Sequence, residues 1–141
     1  MVTGSVDCTI RIWSFKHGDC LKLITDHYAP IYSLLVDPLN SKQFISASGD
    51  GKIISWDAVT GESVKIMNDH TGPVISCVTY NRMLFSGSND RTARAWVIEF
   101  GECVRVFPGN SCGVSLVQYY NGLGKLLMIL FFNNLLVHRL S

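Results

Sequence analysis

The chain is predicted to be all-β, built from a repeated antiparallel unit of four short strands, and three observations carry that expectation. The decapeptides GDCLKLITDH (18–27), GESVKIMNDH (61–70) and GECVRVFPGN (101–110) align without gaps and start 43 and 40 residues apart. Ahead of each, an Asp lies six residues before a Trp: Asp7 and Trp13, Asp50 and Trp56, Asp90 and Trp96. Between these marks, runs of Val, Ile and aromatic residues are broken at Gly49-Asp50-Gly51, Thr60-Gly61 and Ser88-Asn89-Asp90, as strands joined by tight turns are. A period of about 40 residues with several short strands in each is the signature of a propeller blade.

Taken in order, the chain opens partway through a unit. Residues 1–27 are expected to hold its last three strands, with neither a first strand nor a histidine ahead of them. The second unit, 28–70, reads as strands at 31–36, 43–48, 52–57 and 63–67. Its first connection, Asp37-Pro38-Leu39-Asn40-Ser41-Lys42, is an exposed turn whose extra length explains 43 against 40. The third unit, 71–110, reads as strands at 74–80, 83–88, 92–98 and 103–107. Residues 112–120 match 29–37 and 72–80, so a further unit begins over 111–123 with its first strand.

The pattern then stops. Counting from the third unit, Asp is expected at 130 and Trp at 136; both are Leu, and Asn110 stands where a third His belongs. The divergent hydrophobic tail, 124–141, admits three readings. It is a degenerate last blade whose Leu-rich strand still packs on the strand before it. Or it is a membrane tail, for which the run 126–132 is far shorter than the ~20 residues a span needs. Or it is translated intron, which weighs most: Gly124-Lys125 can be encoded across a splice-donor-like GGTAA, and A/T-rich intron yields Leu, Lys, Ile, Met, Phe and Asn.

Composition narrows the function. Hydrophobic residues are 48% and charged ones 16%, neither a disordered nor a membrane composition. A net charge of +1 promises no nucleic acid, acidic membrane or polyanionic substrate. No basic and apolar leader precedes Asp7, so no signal peptide is expected. Cys8, Cys20, Cys77, Cys103 and Cys112 form no C-x-x-C pair, which argues for reduced thiols in the cytoplasm or nucleus and against a zinc site. His17 and His138 stand alone as solvated residues, so no metal or other cofactor is expected.

On these residues the chain resembles the WD40-repeat family, from residue 1 to about 123. The resemblance implies blades of four antiparallel strands, a to d, running outward from a central channel. It also implies a buried hydrogen-bonded set in each blade: a His before strand a, a Ser or Thr on b, an Asp in the b–c turn and a Trp on c. One set is then His27, Ser46 or Ser48, Asp50 and Trp56; the second is His70, Ser86 or Ser88, Asp90 and Trp96. Asp7 and Trp13 belong to the first, partial blade. The paired serines are two apart and share a strand face, so both remain candidates. Two features depart from the family: Asp26 and Asp69 precede the histidines where Gly is usual, and only Trp56 is followed by Asp.

A Ser-His-Asp hydrolase would need the same residue types. Here the trio recurs in identical register, which marks scaffold, and no nucleophile elbow is present. Gly49-Asp50-Gly51-Lys52 lacks the first glycine and the Ser/Thr of a phosphate loop. What remains is recognition of other proteins or peptides. The resemblance places the loops before strand a and the b–c turns on one rim, here Tyr28, Thr71, Gly49, Asn89 and Arg91; alternatively Arg91 and Arg94 are solvated or cover Trp96. The expected protein is a non-catalytic, intracellular scaffold or adaptor. The alternatives are a truncated or read-through product with no independent function, and a phosphopeptide- or RNA-binding propeller fragment. Two complete and two partial blades are too few to close alone, so self-association through open edges, including exchange of strands between two copies, is expected.

Overall fold

Fourteen strands describe the chain, β1 (Val2–Gly4), β2 (Ile10–Trp13), β3 (Cys20–Ile24), β4 (Ile31–Val36), β5 (Gln43–Ser48), β6 (Ile53–Asp57), β7 (Ser63–Met67), β8 (Val74–Tyr80), β9 (Met83–Ser88), β10 (Thr92–Val97), β11 (Glu102–Pro108), β12 (Val114–Tyr120), β13 (Lys125–Leu130) and β14 (Leu135–Arg139). The computed structural model describes residues 1–109, 112–120, 125–130 and 135–139, with side chains through residue 118. The strands form four antiparallel sheets in sequence order: β1-β2-β3, β4-β5-β6-β7, β8-β9-β10-β11 and β12-β13-β14. The sheets do not close on themselves. Strand ends differ from the expected ones by one or two residues, as fraying edges do.

The repeat extends to the irregularities. Each second-to-third-position pairing slips just before the Trp: between Ile12 and Trp13, Ser55 and Trp56, and Ala95 and Trp96. A second slip recurs after the first residue of each inner strand, at Ile31/Ser33, Val74/Ser76 and Val114/Leu116. Bulges of this kind bend and twist the strand, and their recurrence means every sheet is curved alike. The inner hairpin of the third sheet turns on Asn81 and Arg82, both left-handed at φ 46° and 64°, the geometry whose twist matches the flanking strands.

Sheets stack face to face through three apolar layers. Ile10, Ile12, Ile24, Ile31, Phe44, Ile54 and Trp56 fill the first gap. Ile45, Ala47, Ile53, Met67, Val74, Leu84, Trp96 and Ile98 lie in the second. Phe85, Ala93, Ala95, Phe107, Val114 and Val117 lie in the third. Each fully buried side chain of this size contributes about 1.5–3 kcal/mol. Close approach is permitted by a small residue at one repeated position of the second strand, Gly4, Ala47 and Gly87. A methyl on Gly4 would sit 2.6 Å from Ile31 Cγ2, and one on Gly87 would sit 2.7 Å from Val114 Cγ1.

The fourth sheet corrects the count made along the sequence. Lys125–Leu130 pairs antiparallel with β12, and Leu135–Arg139 pairs with β13, so strand pairing continues past residue 123. The connection from Tyr120 to Lys125 is two residues longer than that from Tyr80 to Met83. Leu126 therefore occupies the register position of Leu84, and His138, not residue 136, that of Trp96. Met128 and Leu130 occupy the positions of Ser86 and Ser88. The sheet keeps the backbone pattern and loses the polar residue types. Asn110 and the stretch 121–124 lie outside the described residues.

Candidate functional site

Each complete blade buries one polar set. His27 Nδ1 lies 2.6 Å from Asp50 Oδ2 and its Nε2 2.8 Å from Ser46 Oγ, while Trp56 Nε1–H donates to the same Oγ at 2.7 Å. The third blade repeats this, with His70 Nδ1 to Asp90 Oδ2 at 2.6 Å, Nε2 to Ser86 Oγ at 2.7 Å and Trp96 Nε1–H to Ser86 Oγ at 2.8 Å. An indole N–H can only donate, so the serine oxygen accepts it and turns its own proton to the imidazole. Nδ1 then carries the ring proton and gives it to the carboxylate. Every polar atom of the chain from Trp to Asp is paired.

The structure also separates the two serines. Ser46 and Ser86 bond the histidines; Ser48 and Ser88 tie the loop ahead of the inner strand to the turn. Ser48 Oγ–H donates to the Ala29 carbonyl at 2.9 Å and Ser88 Oγ–H to the Gly72 carbonyl at 3.0 Å, and each accepts the backbone N–H of the following Asp50 or Asp90. All four serines are fully buried. The carboxylates divide their labour too. Oδ1 accepts the N–H of Lys52 or Thr92 within the turn, while Oδ2 takes the histidine and the N–H of Tyr28 or Thr71.

Electrostatics follow from burial. Desolvation lowers the His70 pKa below its ordinary value more than the bond to Asp90 raises it, which keeps the ring neutral. Burial pushes Asp90 up, but hydrogen bonds from Thr92 and His70 outweigh it and hold the carboxyl below the usual range. Cys77, buried with no charged neighbour, has its thiol pushed up and is inert.

The first blade carries the same frame without its histidine. Trp13 Nε1–H donates to Thr3 Oγ1 at 2.7 Å. Thr3 pairs with Arg11 as Ser46 pairs with Ile54 and Ser86 with Arg94, so Thr3 stands at the serine position. Sequence reasoning missed it. The signal was available: Thr3-Gly4-Ser5 aligns with Ser46-Ala47-Ser48 and Ser86-Gly87-Ser88, each beginning four residues before the Asp. Asp7 Oδ1 accepts Thr9 N–H at 3.0 Å and Thr9 Oγ1–H at 2.6 Å. Those bonds, with a further one from Ser5, hold the exposed Asp7 carboxyl below its usual range.

The five rim residues come from adjoining loops. Tyr28 and Thr71 follow the two histidines, and Gly49, Asn89 and Arg91 flank the two aspartates in the turns. Gly49 N–H donates to Pro30 O and Asn89 N–H to Pro73 O, both at 2.9 Å, which ties each turn to its loop. A methyl on Gly51 would lie 3.2 Å from the His70 carbonyl, so the second blade's turn meets the third blade's loop. Tyr28 is 70% exposed, with Lys52 Nζ 5.2 Å from its ring centroid; Thr71, Asn89 and Arg91 are exposed and Gly49 half-buried. Arg91 holds φ 71°, the left-handed conformation that Gly51 adopts at the same turn position. Arg94 does not cover Trp96; its Nη1 lies 3.9 Å from Asp69 Oδ2 and 3.7 Å from Cys103 Sγ. His17 is exposed, and the His138 side chain lies outside the described residues. Among the described residues no His, Cys, Asp and Glu group has the makings of a metal site.

Stacked four-stranded antiparallel sheets, each pinned by a buried His-Ser-Asp-Trp chain, define a β-propeller built from WD repeats. The family described as "WD domain, G-beta repeat" matches residues 1–14, 18–57 and 61–96, and the chain belongs to this WD40 family. It is 31% identical over 123 residues to the nuclear distribution protein nudF of Aspergillus niger, covering 84% of this chain and 28% of that protein. It is 27% identical over 119 residues to mitochondrial division protein 1 of Eremothecium gossypii, covering 84% of this chain and 14% of the relative. The chain thus spans under a third of the length of these relatives. Among solved structures, the WD40 β-propeller domain of Doa1 superposes with TM-score 0.80 at 26% identity, over 90% of this chain and 42% of that one. The computationally designed Ika4 protein superposes with TM-score 0.86 at 21% identity, over 99% and 84%, a likeness of fold alone.

Proposed function

We propose that the chain is a non-catalytic, intracellular interaction scaffold that engages protein or peptide partners through the rim formed by Tyr28, Gly49, Thr71, Asn89 and Arg91. WD40 propellers are in general interaction scaffolds rather than enzymes. One observation carries the reading furthest: the residues with chemistry to offer are buried and mutually paired, while the exposed aromatic and cationic groups gather on loops above them. His27 and His70 are 3% and 6% exposed, and no substrate atom can reach their nitrogens without breaking the blade. Arg and Tyr are enriched among residues that dominate binding energy. The five thiols are free, which supports an intracellular setting. Among the described residues no helix is long and apolar enough to cross a membrane. With a net charge of +1, nothing favours an RNA-binding face over a protein-binding one.

The strand pairing of Lys125–Leu130 with β12 supports reading the tail as a degenerate fourth blade rather than as read-through. A transcript that reads continuously across codons 124–125 would agree with it; an unspliced junction there would restore the truncated-product reading.

The rim is tested by quantitative cross-linking of partners to the wild-type chain and to the double variant Tyr28→Ala, Arg91→Gly. Loss of the same cross-linked species at unchanged melting temperature is expected. Undiminished cross-linking, or an ester- or amide-hydrolysis rate abolished by Ser46→Ala and Ser86→Ala, overturns the proposal.

A further inference from the structure

The first blade ends in a socket whose vacancies are filled, group for group, in its two sisters. In the second and third blades a four-residue loop docks on the Asp-Ser-Trp frame just before the inner strand: His27-Tyr28-Ala29-Pro30 ahead of Ile31, and His70-Thr71-Gly72-Pro73 ahead of Val74. The histidine bonds carboxylate Oδ2 and the strand hydroxyl. The next N–H joins Oδ2, the third carbonyl accepts the second serine hydroxyl, and the proline carbonyl accepts the N–H preceding the Asp.

In the first blade the receiving groups stand in the same register and lack those partners. Thr3 Oγ1 already holds the Trp13 indole, as Ser46 and Ser86 hold theirs. Asp7 Oδ1 is engaged by Thr9, whereas among the described residues no hydrogen bond reaches Oδ2. Ser5 Oγ accepts the Asp7 N–H but donates to no carbonyl, and the Val6 N–H is unpaired where Gly49 and Asn89 bond a proline carbonyl. β1 is an edge strand, with β2 on one side only. A polar cavity of about 230 Å³, lined by Thr3, Ser5, Asp7, Thr9 and Trp13 among others, occupies the place of the imidazole.

From this geometry we infer that the open face of the first blade is a docking site for an extended segment of the pattern His-x-x-Pro followed by a β-branched residue, which adds as a strand along β1 and seats its imidazole between Asp7 Oδ2 and Thr3 Oγ1. An added strand gains main-chain bonds along an exposed edge and specificity from the pockets its side chains enter. A second copy of the chain has no such segment to offer. Its two His-x-x-Pro loops are engaged in their own blades, and β12, the strand that exchange between copies would supply, is already paired with β13 and follows Asn110. The ionised Asp7 carboxylate favours an imidazole that donates to it.

This docking site is separate from the rim and does not depend on it. The test uses the full chain, with the three indole N–H resonances as internal reporters, titrated with a synthetic peptide copying residues 26–36. The expected result is a saturable shift of the Trp13 resonance with those of Trp56 and Trp96 unmoved. The same peptide carrying His27→Ala, and the intact peptide on Asp7→Asn protein, should bind about tenfold or more weakly. Tyr28→Ala, Arg91→Gly protein should bind the peptide normally, so failure of the rim and failure of this site are told apart. Absence of a Trp13 shift, equal binding of the alanine peptide, or a dimer by light scattering whose dissociation alone moves the Trp13 resonance would each overturn the inference.

Discussion

Asp90 and Asp50 sit where one carboxylate does two tasks, closing a turn with Oδ1 and anchoring a histidine with Oδ2. Removing such a side chain orphans several buried donors at once, at about 1–3 kcal/mol each. Asp90→Ala is therefore expected to lower the denaturation midpoint, with no enzymatic rate to lose; an unchanged midpoint would show the network to be energetically idle. The same set makes stability pH-dependent. His70 is held neutral by burial, so its folded pKa lies below its unfolded value near 6.5, and Asp90 is held below the usual carboxylate range. A group whose folded pKa is depressed contributes stability above its unfolded pKa and loses it as pH falls. Urea midpoints should therefore drop as pH is lowered through about 6.5 toward 5, with His70→Gln less stable and flatter across that window. A midpoint that rises on acidification would contradict the assignment of a neutral imidazole.

Arg91 presents the opposite balance. A non-glycine residue in the left-handed region costs about 1–2 kcal/mol, and Gly51 shows that glycine satisfies the same turn. Glycine's greater unfolded-state entropy offsets part of that. Arg91→Gly is expected to leave thermal stability equal or raise it by about 1 kcal/mol or less, while weakening partner capture. Loss of stability without loss of capture would make Arg91 a structural residue instead.

At the level of strands, the small residue between the two serines decides how closely neighbouring sheets approach. Gly87 faces Val114 and Val117 of β12, both within 2.8 Å of where a methyl would lie. Gly87→Ala should destabilise the chain by about 1–3 kcal/mol through overpacking. Val114→Ala in the same chain should recover part of that loss, a coupling a double-mutant cycle measures. Additive effects would mean that β12 does not bear on β9 as described. The strands themselves were legible in the sequence, because alternation of Ile, Val and aromatic residues between turn signals repeats three times. The fourth sheet was not. A two-residue longer connection shifts every later position, and register is a matter of which backbone groups face each other rather than of residue type.

For the whole molecule, the unclosed stack leaves its two end faces without the cover that interior sheets have. Trp56 and Trp96 are buried to 0% and 1% exposure, whereas their counterpart Trp13 is only half-buried. Acrylamide should quench one readily accessible tryptophan population, and Trp13→Phe should abolish it. Uniform protection of all three indoles would mean that the end face is covered. The outer strands carry repeated exposed pairs, Leu21 and Leu23, Val64 and Ile66, Val104 and Val106, where the fanning sheets no longer touch.

Residue type and spacing by themselves determined the class of fold, the two histidine–aspartate–tryptophan sets and the absence of a nucleophile elbow. Those properties are local: a turn needs its Asp, a strand its alternation, and a repeat shows itself by recurrence. Tertiary structure alone decided which serine meets the histidine, that Thr3 substitutes for it in the first blade, where the fourth sheet takes up its register, and which polar groups of the first blade stand open. Ser46 and Ser48 share a face and a chemistry, and only their distance from an imidazole nineteen residues earlier in the chain tells them apart. The vacancy at Asp7 Oδ2 is likewise invisible in the string of letters, because a missing partner is a fact of space and not of sequence.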